Sequence, residues 1–406
     1  MKSQPGSEKS HSIKDAGKAQ CDFLLRGQGK KVYVGLSGGV DSAVSAALLK
    51  KEGHEVTGVF IKAWTPPGYP CNWREDRRSA MRAAAVLDIP FITLDLEKEY
   101  KRDVVDYMIR EYKIGRTPNP DVMCNKEIKF GAFLKYALAN GADFVATGHY
   151  AKASPQPLPK GKGLTPRTLP FGEGRVGLFE AADKSKDQSY FLWTLTPDQL
   201  KHILFPVGHL QKSEVRKLAE KFKLPQATRK DSQGLCFLGK IDMKEFLKEY
   251  IKTKKGKVLD EKGQVVGSHD GAILYTLGER HGFSVKNQST VNAPLYVVAK
   301  DIKNNTLTVS SERQHFERSS NMLSKGITLQ NINIIGEIPK DKKVREQLTC
   351  RFRYRQEKVS CKITPHQVQV QGSSLYLKFN TPQLVAPGQS LVFYDGEVCL
   401  GGGVIS

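Results

Sequence analysis

The stretch that most constrains the fold of this chain is VYVGLSGGVDSAVSAALLKK, at residues 32–51. Residues 32–36 are apolar and rich in valine, whereas residues 43–51 are good helix formers, so the stretch predicts a strand, a tight turn and a helix. The turn is SGGVDS, at residues 37–42. Its two glycines let a ligand approach the backbone closely, and the first N–H groups of the helix point toward that ligand. The stretch therefore predicts an anion site, and a phosphate is the expected anion.

The next hundred residues alternate strand and helix patterns. Strand patterns occupy residues 54–64, 90–96 and 143–151, and helix patterns occupy residues 77–88, 97–113 and 126–141. Such alternation predicts a parallel sheet with helices on both faces. Ligands of these sheets bind at the carboxyl ends of the strands. Leu36, Ala63 and Gly148 all lie near such ends.

The pattern changes beyond Lys223, where short alternating strands come to dominate, and this change predicts several domains. The strands are LYVVAK, TLTVSS, KVSCKI, QVQVQG and SLYLKF. We expect a multi-domain α/β plus β chain that ends in a small β-barrel or sandwich. The predicted units are a disordered tail (1–29), an α/β domain (30–224), a small central domain (225–300) and a C-terminal β-barrel (301–406). Residues 154–175 carry five prolines and four glycines and are interpreted as a surface loop of open role.

Composition narrows the classes of protein further. Of the 406 residues, 39% are hydrophobic, and no apolar run approaches the roughly 20 residues of a membrane-spanning helix. The formal charge of +21 suits a polyanionic partner such as nucleic acid. Seven thinly spread cysteines form no disulfide framework and favour a reducing compartment. The first thirty residues lack a secretory core, so a cytoplasmic protein without a membrane partner is expected.

The phosphate loop differs from the two commonest nucleotide-binding loops. No lysine follows the glycines, as a Walker loop requires, and G-x-G-x-x-G is absent. The pattern S-G-G-x-D-S instead resembles the PP-loop of ATP pyrophosphatases, which adenylate a carbonyl oxygen and release pyrophosphate. In that interpretation Ser37, Gly38, Gly39 and Ser42 hold the phosphates. Asp41 is the expected partner of Mg²⁺, since this hard cation prefers carboxylate oxygen.

Two cysteines stand in segments that suit thiol chemistry. In TPNPDVMCNKEIKF, residues 117–130, Asp121 precedes Cys124 by three residues, and a helix is expected to begin near Lys126. A thiol at a helix N-terminus is stabilised as thiolate, so Cys124 is a candidate nucleophile and Asp121 is close enough to handle a proton. Cys236 lies in the polar, glycine-flanked stretch KDSQGLCFLG. Two such thiols suit exchange chemistry, in which one sulfur carries and the other resolves.

Taken together, the motifs resemble those of the tRNA-specific 2-thiouridylase family, from about Lys31 to the C-terminus. They are SGGVDS, TPNPDxxCNxxIKF, GHY, KDQSYFL, DSQGLCF, RYRQ and the ending VCLGGG. The resemblance implies an N-terminal PP-loop domain, the cofactors ATP and Mg²⁺, Cys124 as nucleophile and Cys236 as carrier of a persulfide. It implies ATP contacts at Gly35, Leu36, Ser37, Gly38, Gly39, Val40, Asp41, Ser42, Ile61 and Gly148. It implies target-base contacts at Asn119, Pro120 and Asp121, and tRNA contacts at His149, Lys186, Asp187, Gln188, Arg353, Tyr354 and Gln389.

An RNA partner has separate support in TCRFRYR, residues 349–355. In a regular strand Arg351, Arg353 and Arg355 would share one face as a phosphate rail, and Cys350, Phe352 and Tyr354 would share the other. Strict alternation would bury Tyr354, which disagrees with its implied tRNA contact unless the strand ends or bulges there. Cys21, Cys71, Cys350, Cys361 and Cys399 are interpreted as packing residues.

The implied reaction is adenylation of the C2 carbonyl of a wobble uridine in tRNA, followed by replacement of the oxygen with persulfide sulfur from a separate donor protein. The sequence leaves two routes open: direct attack with Cys124 as resolving thiol, or release of hydrosulfide by Cys124. Two rival functions are a PP-loop amidating or ligating enzyme, which needs neither thiol, and an RNA-binding module without chemistry. An iron–sulfur cluster held by Cys124, Cys236 and an acid is a further alternative. The donor, the tRNA species and the oligomeric state are not specified by the sequence.

Overall fold

The structure is a computed structural model that describes residues 29–69, 73–154, 176–230, 242–286, 294–311, 324–336, 338–339, 345–363 and 374–406. Its first part is the predicted parallel sheet. The strands are β1 (Lys31–Gly35), β2 (Glu55–Lys62), β3 (Phe91–Asp95), β4 (Phe144–Ala146) and β7 (Ile203–Leu204), in the order β3-β2-β1-β4-β7. Each neighbouring pair is parallel. The prediction of a parallel sheet is confirmed.

Both faces of this sheet are covered, as predicted. Along β2, Val59 and Ile61 belong to one buried cluster, and Val56 and Phe60 belong to another on the opposite face. The described helices are α1 (Val40–Lys51), α2 (Trp73–Val86), α3 (97–113), α4 (120–139), α5 (Pro197–Leu200), α6 (Lys212–Lys221) and α7 (Met243–Lys248). Helix α1 is buried along most of its length because it is rich in alanine and valine and packs between the sheet and α6.

Helices α3 and α4 each combine α and π segments. Helix α3 consists of Glu97–Tyr100, Lys101–Val105 and Asp106–Lys113, and the middle segment is π-helical. Helix α4 consists of Pro120–Met123, the π segment Cys124–Ala132 and Phe133–Ala139. Asn119 caps α4, because its Oδ1 accepts a hydrogen bond from the Val122 N–H at 3.2 Å, and Pro120 follows at the first helical position. The prediction that this helix begins near Lys126 was therefore wrong.

The central part is a five-stranded sheet. It contains β8 (Gly256–Leu259), β9 (Val265–His269), β10 (Ser284–Val285), β11 (Tyr296–Asp301) and β12 (Thr306–Ser310), in the order β10-β9-β8-β12-β11. Strands β11 and β12 form an antiparallel hairpin. The predicted domain boundary after residue 300 falls inside that hairpin, so residues 306–310 pack with the central sheet.

The C-terminal part is a closed barrel. Its strands are β13 (Ser324–Ile334), β14 (Thr349–Arg351), β15 (Val359–Ile363), β16 (Leu375–Gln383), β17 (Ser390–Asp395) and β18 (Val398–Ile405). Pairing of β13 with both β16 and β18 closes the barrel. The predicted barrel is thus confirmed, although the predicted strand at residues 367–372 lies outside the described residues.

A hairpin from the first domain extends the sheet of the barrel. Strands β5 (Ala151–Ser154) and β6 (Gly177–Glu180) pair with each other, and β6 pairs with β18 through Val398↔Phe179 and Cys399↔Leu178. The segment predicted as one strand over residues 143–151 is therefore two strands in different sheets. Most of the predicted surface loop at 154–175 lies outside the described residues.

Candidate active site

The predicted phosphate loop joins the end of β1 to the start of α1. Ser42 organises it: the Oγ of Ser42 donates to the Gly39 carbonyl at 3.1 Å and accepts from the Ser37 N–H at 3.2 Å. Gly38 has φ +81°, a backbone conformation that glycine adopts without strain. The side chains of Leu36 and Val40 are buried in the core, so a ligand of the loop would meet these residues through their backbone. The turn has the form that an anion site at a helix N-terminus requires.

Residues that the sequence did not single out hold the loop from behind. The Gly38 carbonyl accepts hydrogen bonds from Ser79 Oγ at 3.0 Å and from Arg229 Nη1 at 2.9 Å. Arg229 also pairs with Asp76 at 2.5 Å. Because the Gly38 carbonyl is fixed on this side, the orientation of the following peptide group is fixed as well. No short motif announces these partners, since they come from distant positions of the chain.

Asp41, the predicted Mg²⁺ ligand, is held by two side chains. Lys212 Nζ lies 2.6 and 2.8 Å from its two carboxylate oxygens, and the Tyr150 hydroxyl donates to Oδ1 at 2.9 Å. Lys212 is the first residue of α6, and its backbone N–H donates to Asp183 at 3.0 Å. The side chain of Lys212 is only 15% exposed. Sequence reasoning missed this lysine, which places a positive charge beside the phosphate loop.

Gly148 follows the end of β4, as predicted, and Ile61 lies near the end of β2, at the same carboxyl edge of the sheet. A Cβ added to Gly148 would lie 2.6 Å from the Ser42 nitrogen and 2.7 Å from the Asp41 carbonyl carbon, so the chain after β4 touches the start of α1. Ile61 is buried near the end of β2 and belongs to the core cluster that contains Cys124. Gly35 ends β1, and a Cβ there would lie in ordinary contact with Phe133 of α4 at 3.5 Å.

His149 joins the phosphate loop to the helix that carries Cys124. Its Nδ1 lies 2.7 Å from Thr147 Oγ1 and its Nε2 lies 3.5 Å from Lys129 Nζ. Its ring packs against Phe130 of α4 and against Phe205. Burial, and secondarily the charge of Lys129, lower the pKa of His149 well below its usual value. His149, for which a tRNA contact was implied, is thus buried in this structure, and its lowered pKa favours the neutral ring.

Cys124 lies in the second turn of α4 and is completely buried. Its N–H donates within the helix, to the carbonyls of Pro120 and Asp121. The expectation that N–H groups at the start of the helix stabilise its thiolate was therefore wrong, because the helix begins four residues earlier. Asp121 does lie in the first turn, directly after the capping residue Asn119 and Pro120. Cys236 lies outside the described residues, as do Cys21 and Cys71, while Cys350, Cys361 and Cys399 are buried as interpreted.

The arginine rail predicted from TCRFRYR does not form. Strand β14 ends at Arg351, and Arg355 has φ +61°, so the strand alternation that would place the three arginines on one face does not continue beyond Arg351. Arg351 pairs with Asp187 at 3.0 Å, and Arg353, which is exposed, donates to the Leu277 carbonyl at 2.9 Å. Cys350 and Phe352 are buried on the other face, as predicted. Tyr354 is half-buried against Phe191, because the strand has already ended.

The other implied tRNA residues divide into accessible and internal groups. Lys186 lines an open cavity of about 490 Å³ with Arg351 and Arg355. Asp187 is buried, and its carboxylate also accepts from Ala181 and Ser189, so it supports Arg351 from inside the protein. Gln188 accepts from the Tyr150 N–H at 2.9 Å. Gln389 donates to the Thr117 carbonyl at 3.0 Å, so its amide nitrogen contacts the TPNPD segment.

Within the described residues, no group of three or more His, Cys, Asp or Glu side chains could hold a metal ion. The iron–sulfur alternative is not addressed by this result, because it requires Cys236. None of the described helices is long and apolar enough to cross a membrane.

Fold and site together define a class: a HUP-type α/β domain with an S-G-G-x-D-S phosphate loop, followed by two small β domains. Three family descriptions match in succession. They are a tRNA methyl transferase HUP domain over residues 30–240, a tRNA methyl transferase PRC-barrel domain over 244–311 and an aminomethyltransferase β-barrel domain over 324–405.

Sequence relatives specify the family. The chain is 43% identical to the tRNA-specific 2-thiouridylase MnmA of Streptococcus thermophilus over 379 residues, which is 92% of this chain and 95% of the relative. It is 42% identical to the protein of that name from Streptococcus mutans, with the same coverage. The chain belongs to the tRNA-specific 2-thiouridylase family.

Solved structures with partial likeness include two nucleotide-related enzymes. An NMN synthetase from Francisella tularensis matches with a TM-score of 0.32 and 16% identity, over 58% of this chain and 82% of that one. The U34-tRNA thiolase NcsA from Methanococcus maripaludis, solved with its [4Fe-4S] cluster, matches with a TM-score of 0.35 and 17% identity. The match covers 59% of this chain and 70% of that one.

Proposed function

We propose that this protein is an ATP-dependent tRNA 2-thiouridylase that converts the wobble uridine of tRNA into 2-thiouridine. The observation that carries the proposal is the Gly148–His149 dipeptide. Gly148 touches the first turn of α1, where the phosphate loop ends, and His149 packs on α4, the helix of Asp121 and Cys124. A phosphate site and a thiol helix thus share one edge of the sheet. The family name of the relatives supports the same reaction.

In the first step the C2 carbonyl oxygen of uridine attacks the α-phosphorus of ATP. An O–P bond forms, the bond between the α- and β-phosphates breaks, and pyrophosphate leaves. The phosphates are bound by N–H groups of the loop and of the first turn of α1 other than that of Ser37, which already donates to Ser42, and Lys212 balances part of their charge beside Asp41. Mg²⁺ would neutralise phosphate charge when bound. Asp41 would hold it through a carboxylate oxygen, with phosphates and water as the other ligands, and Lys212 would have to release at least one of the two Asp41 oxygens that it contacts here.

In the second step sulfur replaces AMP at C2. The sulfur is the terminal atom of a persulfide on Cys236, delivered by a separate persulfide donor protein. Either this atom attacks C2 and Cys124 then attacks the Cys236 sulfur, or Cys124 attacks first and releases hydrosulfide, which attacks C2. Both routes oxidise the two thiols to a disulfide, so a thiol reductant must restore them. Asp121 acts as acid or base on the uracil.

The substrate base must leave its stack to reach this edge of the sheet, which costs least in a single-stranded anticodon loop. Exposed Arg353 and the cavity beside Lys186 supply positive charge for the tRNA backbone. Cys124 is completely buried, so the reacting complex requires a rearrangement around α4. A reaction that consumes two thiols and needs a reductant to restore them suits a reducing cytoplasm.

The test is mass spectrometry of nucleosides from tRNA incubated with enzyme, ATP, Mg²⁺ and a persulfide donor. We expect Cys124→Ser and Cys236→Ser each to bind ATP and tRNA yet form no 2-thiouridine, because oxygen cannot store sulfane sulfur. With a labelled donor, Cys124→Ser should still take up label and Cys236→Ser should take up little. Cys350→Ser, at a buried barrel position, is the matched control and should remain active.

Three outcomes would contradict the proposal. Normal 2-thiouridine from either single variant would exclude the two-cysteine chemistry. An amidated product that needs neither thiol would favour the ligase alternative. A methylated uridine formed with S-adenosylmethionine, and no thiolated one, would favour the methyl transfer that the matching domain descriptions name.

A further inference from the structure

The segment around Thr117, which leads into α4, is hydrogen-bonded to the C-terminal barrel. The Thr117 N–H donates to the Pro387 carbonyl at 2.8 Å, and Gln389 Nε2 donates to the Thr117 carbonyl at 3.0 Å. The loop that precedes β17 therefore binds both backbone groups of Thr117, the N–H through a main-chain carbonyl and the carbonyl through a side-chain amide. Asn119, the cap of α4, lies only two residues further along the chain.

Gly388 makes this approach possible. It has φ +90°, and a Cβ on it would lie 2.9 Å from three atoms: the Arg116 Cβ, the Thr117 nitrogen and the Thr117 oxygen. Two of these atoms belong to the backbone and cannot swing away as the end of a side chain can. Only glycine therefore satisfies both the conformation and the spacing of this contact.

Both sides of the contact are anchored. The Gly388 N–H donates to the Ile405 carbonyl at 2.9 Å, and the Ile405 N–H donates to the Gln389 carbonyl at 2.8 Å, which fixes the loop to the last strand of the barrel. Arg116 Nη2 reaches the same Ile405 carbonyl at 3.0 Å. The central domain adds a third contact, because Thr117 Oγ1 lies 3.1 Å from Thr276 Oγ1.

We propose that residues 386–389 of the barrel are a positioning element for the catalytic segment, with Gly388 as the residue that permits it. The inference rests on the proposed function for the roles of Asp121 and Cys124. In this proposal the barrel has a role besides RNA binding, because it holds the start of α4 in place. A displacement of residues 386–389 would move Thr117 and, through it, the helix that carries Cys124. The predicted tRNA contact of Gln389 gains a second role, since its amide already holds the Thr117 carbonyl.

Hydrogen exchange of the full-length protein without tRNA tests the contact directly. In Gly388→Ala the added Cβ pushes Thr117 away, so amides of residues 116–124 should exchange at least about tenfold faster while those of β17 and β18 stay protected. Cys124 should also react faster with N-ethylmaleimide, as read by peptide mass spectrometry. The matched control is Gly396→Ala, another positive-φ glycine of the barrel with nothing within 4 Å of an added Cβ. It should leave residues 116–124 unchanged.

A second variant covers the case in which Gly388→Ala unfolds the barrel. Gln389→Leu removes the side-chain amide that donates to the Thr117 and Pro118 carbonyls, without adding a Cβ at Gly388, and should give the same localised increase in exchange. If Gly388→Ala folds and its residues 116–124 exchange at the wild-type rate, the proposal is overturned. If Gly388→Ala does not fold, a wild-type exchange rate of residues 116–124 in Gln389→Leu overturns it. These measurements need no turnover, so a wild-type protein that makes no 2-thiouridine would refute the proposed function and leave the positioning result to be judged by itself.

Discussion

At the scale of single residues, Asp41 and Lys212 form a partly buried charge pair beside the proposed phosphate site. Lys212 is largely buried, and a buried cation needs a partner, which Asp41 supplies at 2.6 Å. When phosphates bind at the loop, the Lys212 ammonium is already ordered beside them, so no mobile side chain has to be ordered on binding. Preorganised charge of this kind stabilises the charge that develops in a reaction more effectively than a mobile side chain can.

We therefore expect Lys212→Met to lower the rate of AMP and pyrophosphate formation by roughly 10²-fold, the size typical of a lost preorganised donor. Lys212→Arg should restore part of the rate, because it restores the charge. Asp41→Asn combined with Lys212→Met should cost less than the sum of the single changes, since the two residues are in contact. The readouts are pyrophosphate release and the dissociation constant for tRNA, which should stay unchanged. Lys221→Met, at the exposed other end of α6, is the control, and an equal loss there would show that only the helix was damaged.

The sequence predicted the strand, turn and helix around the proposed phosphate loop but not the residues that hold the loop. Ser37 to Ser42 are contiguous, so their pattern is visible as a motif. Ser79, Arg229 and Lys212 come from three separate elements and meet only in the folded chain. The arginine rail failed for a related reason, because alternation holds only while a strand continues and β14 stops at Arg351.

At the scale of elements, the alternating strands and helices were predictable because their hydrophobic periods differ. The start of α4 was placed six residues too late, since the run of helix formers begins near Lys126 whereas the cap is Asn119. Pro120 is the first residue of the helix, where its missing N–H costs nothing because that N–H would have no partner within the helix. This shift moves Cys124 from the helix end into the second turn and changes the physical account of its reactivity.

The contact between the end of β4 and the start of α1 gives an element-scale prediction. Gly148→Ala would place a methyl group 2.6 Å from the Ser42 nitrogen, so the first turn of α1 must shift. We expect a rise of at least about tenfold in KM for ATP, together with a loss of stability of roughly 1–3 kcal/mol from overpacking. Gly141→Ala is the control for KM, because Gly141 lies before the opposite end of β4 and nothing lies within 4 Å of an added Cβ there. Steady-state kinetics and thermal unfolding of both variants decide the matter: similar KM values would mean that the strand end does not shape the site.

At the scale of the whole molecule, the first domain and the barrel share one sheet. Strands β5 and β6 extend from the first domain, and β6 pairs with β18 of the barrel. Charged side chains lie along this contact between the two domains, which we call the seam. Arg351 of β14 reaches Asp187 at 3.0 Å and Glu180 at 3.3 Å, and Lys358 adds a contact to Glu180 at 2.9 Å. The two carboxylate side chains are at most 4% exposed. Domain packing here depends on charges that only the assembled chain brings together, and no local sequence pattern could predict it.

Breaking this seam should destabilise the protein in a pH-dependent way. Burial raises the pKa of Asp187, so its ionised form is already costly inside the protein, and Arg351 is the cation that compensates it. Arg351→Met leaves the carboxylate without that partner, for which we expect a loss of about 3–5 kcal/mol near neutral pH. Removing the guanidinium raises the pKa of Asp187 further in the folded state, whereas in the unfolded chain it stays near the ordinary value of about 4. Stability of the variant must therefore fall, relative to the wild type, as the pH rises above that value, and the gap in Tm should be smaller at pH 5 than at pH 8.

Thermal unfolding at the two pH values measures the gap in Tm between Arg351→Met and the wild type, with Arg82→Met on the exposed face of α2 as the control. A gap that is the same at both pH values would mean that Arg351 contributes packing alone and that the seam is not held by charge.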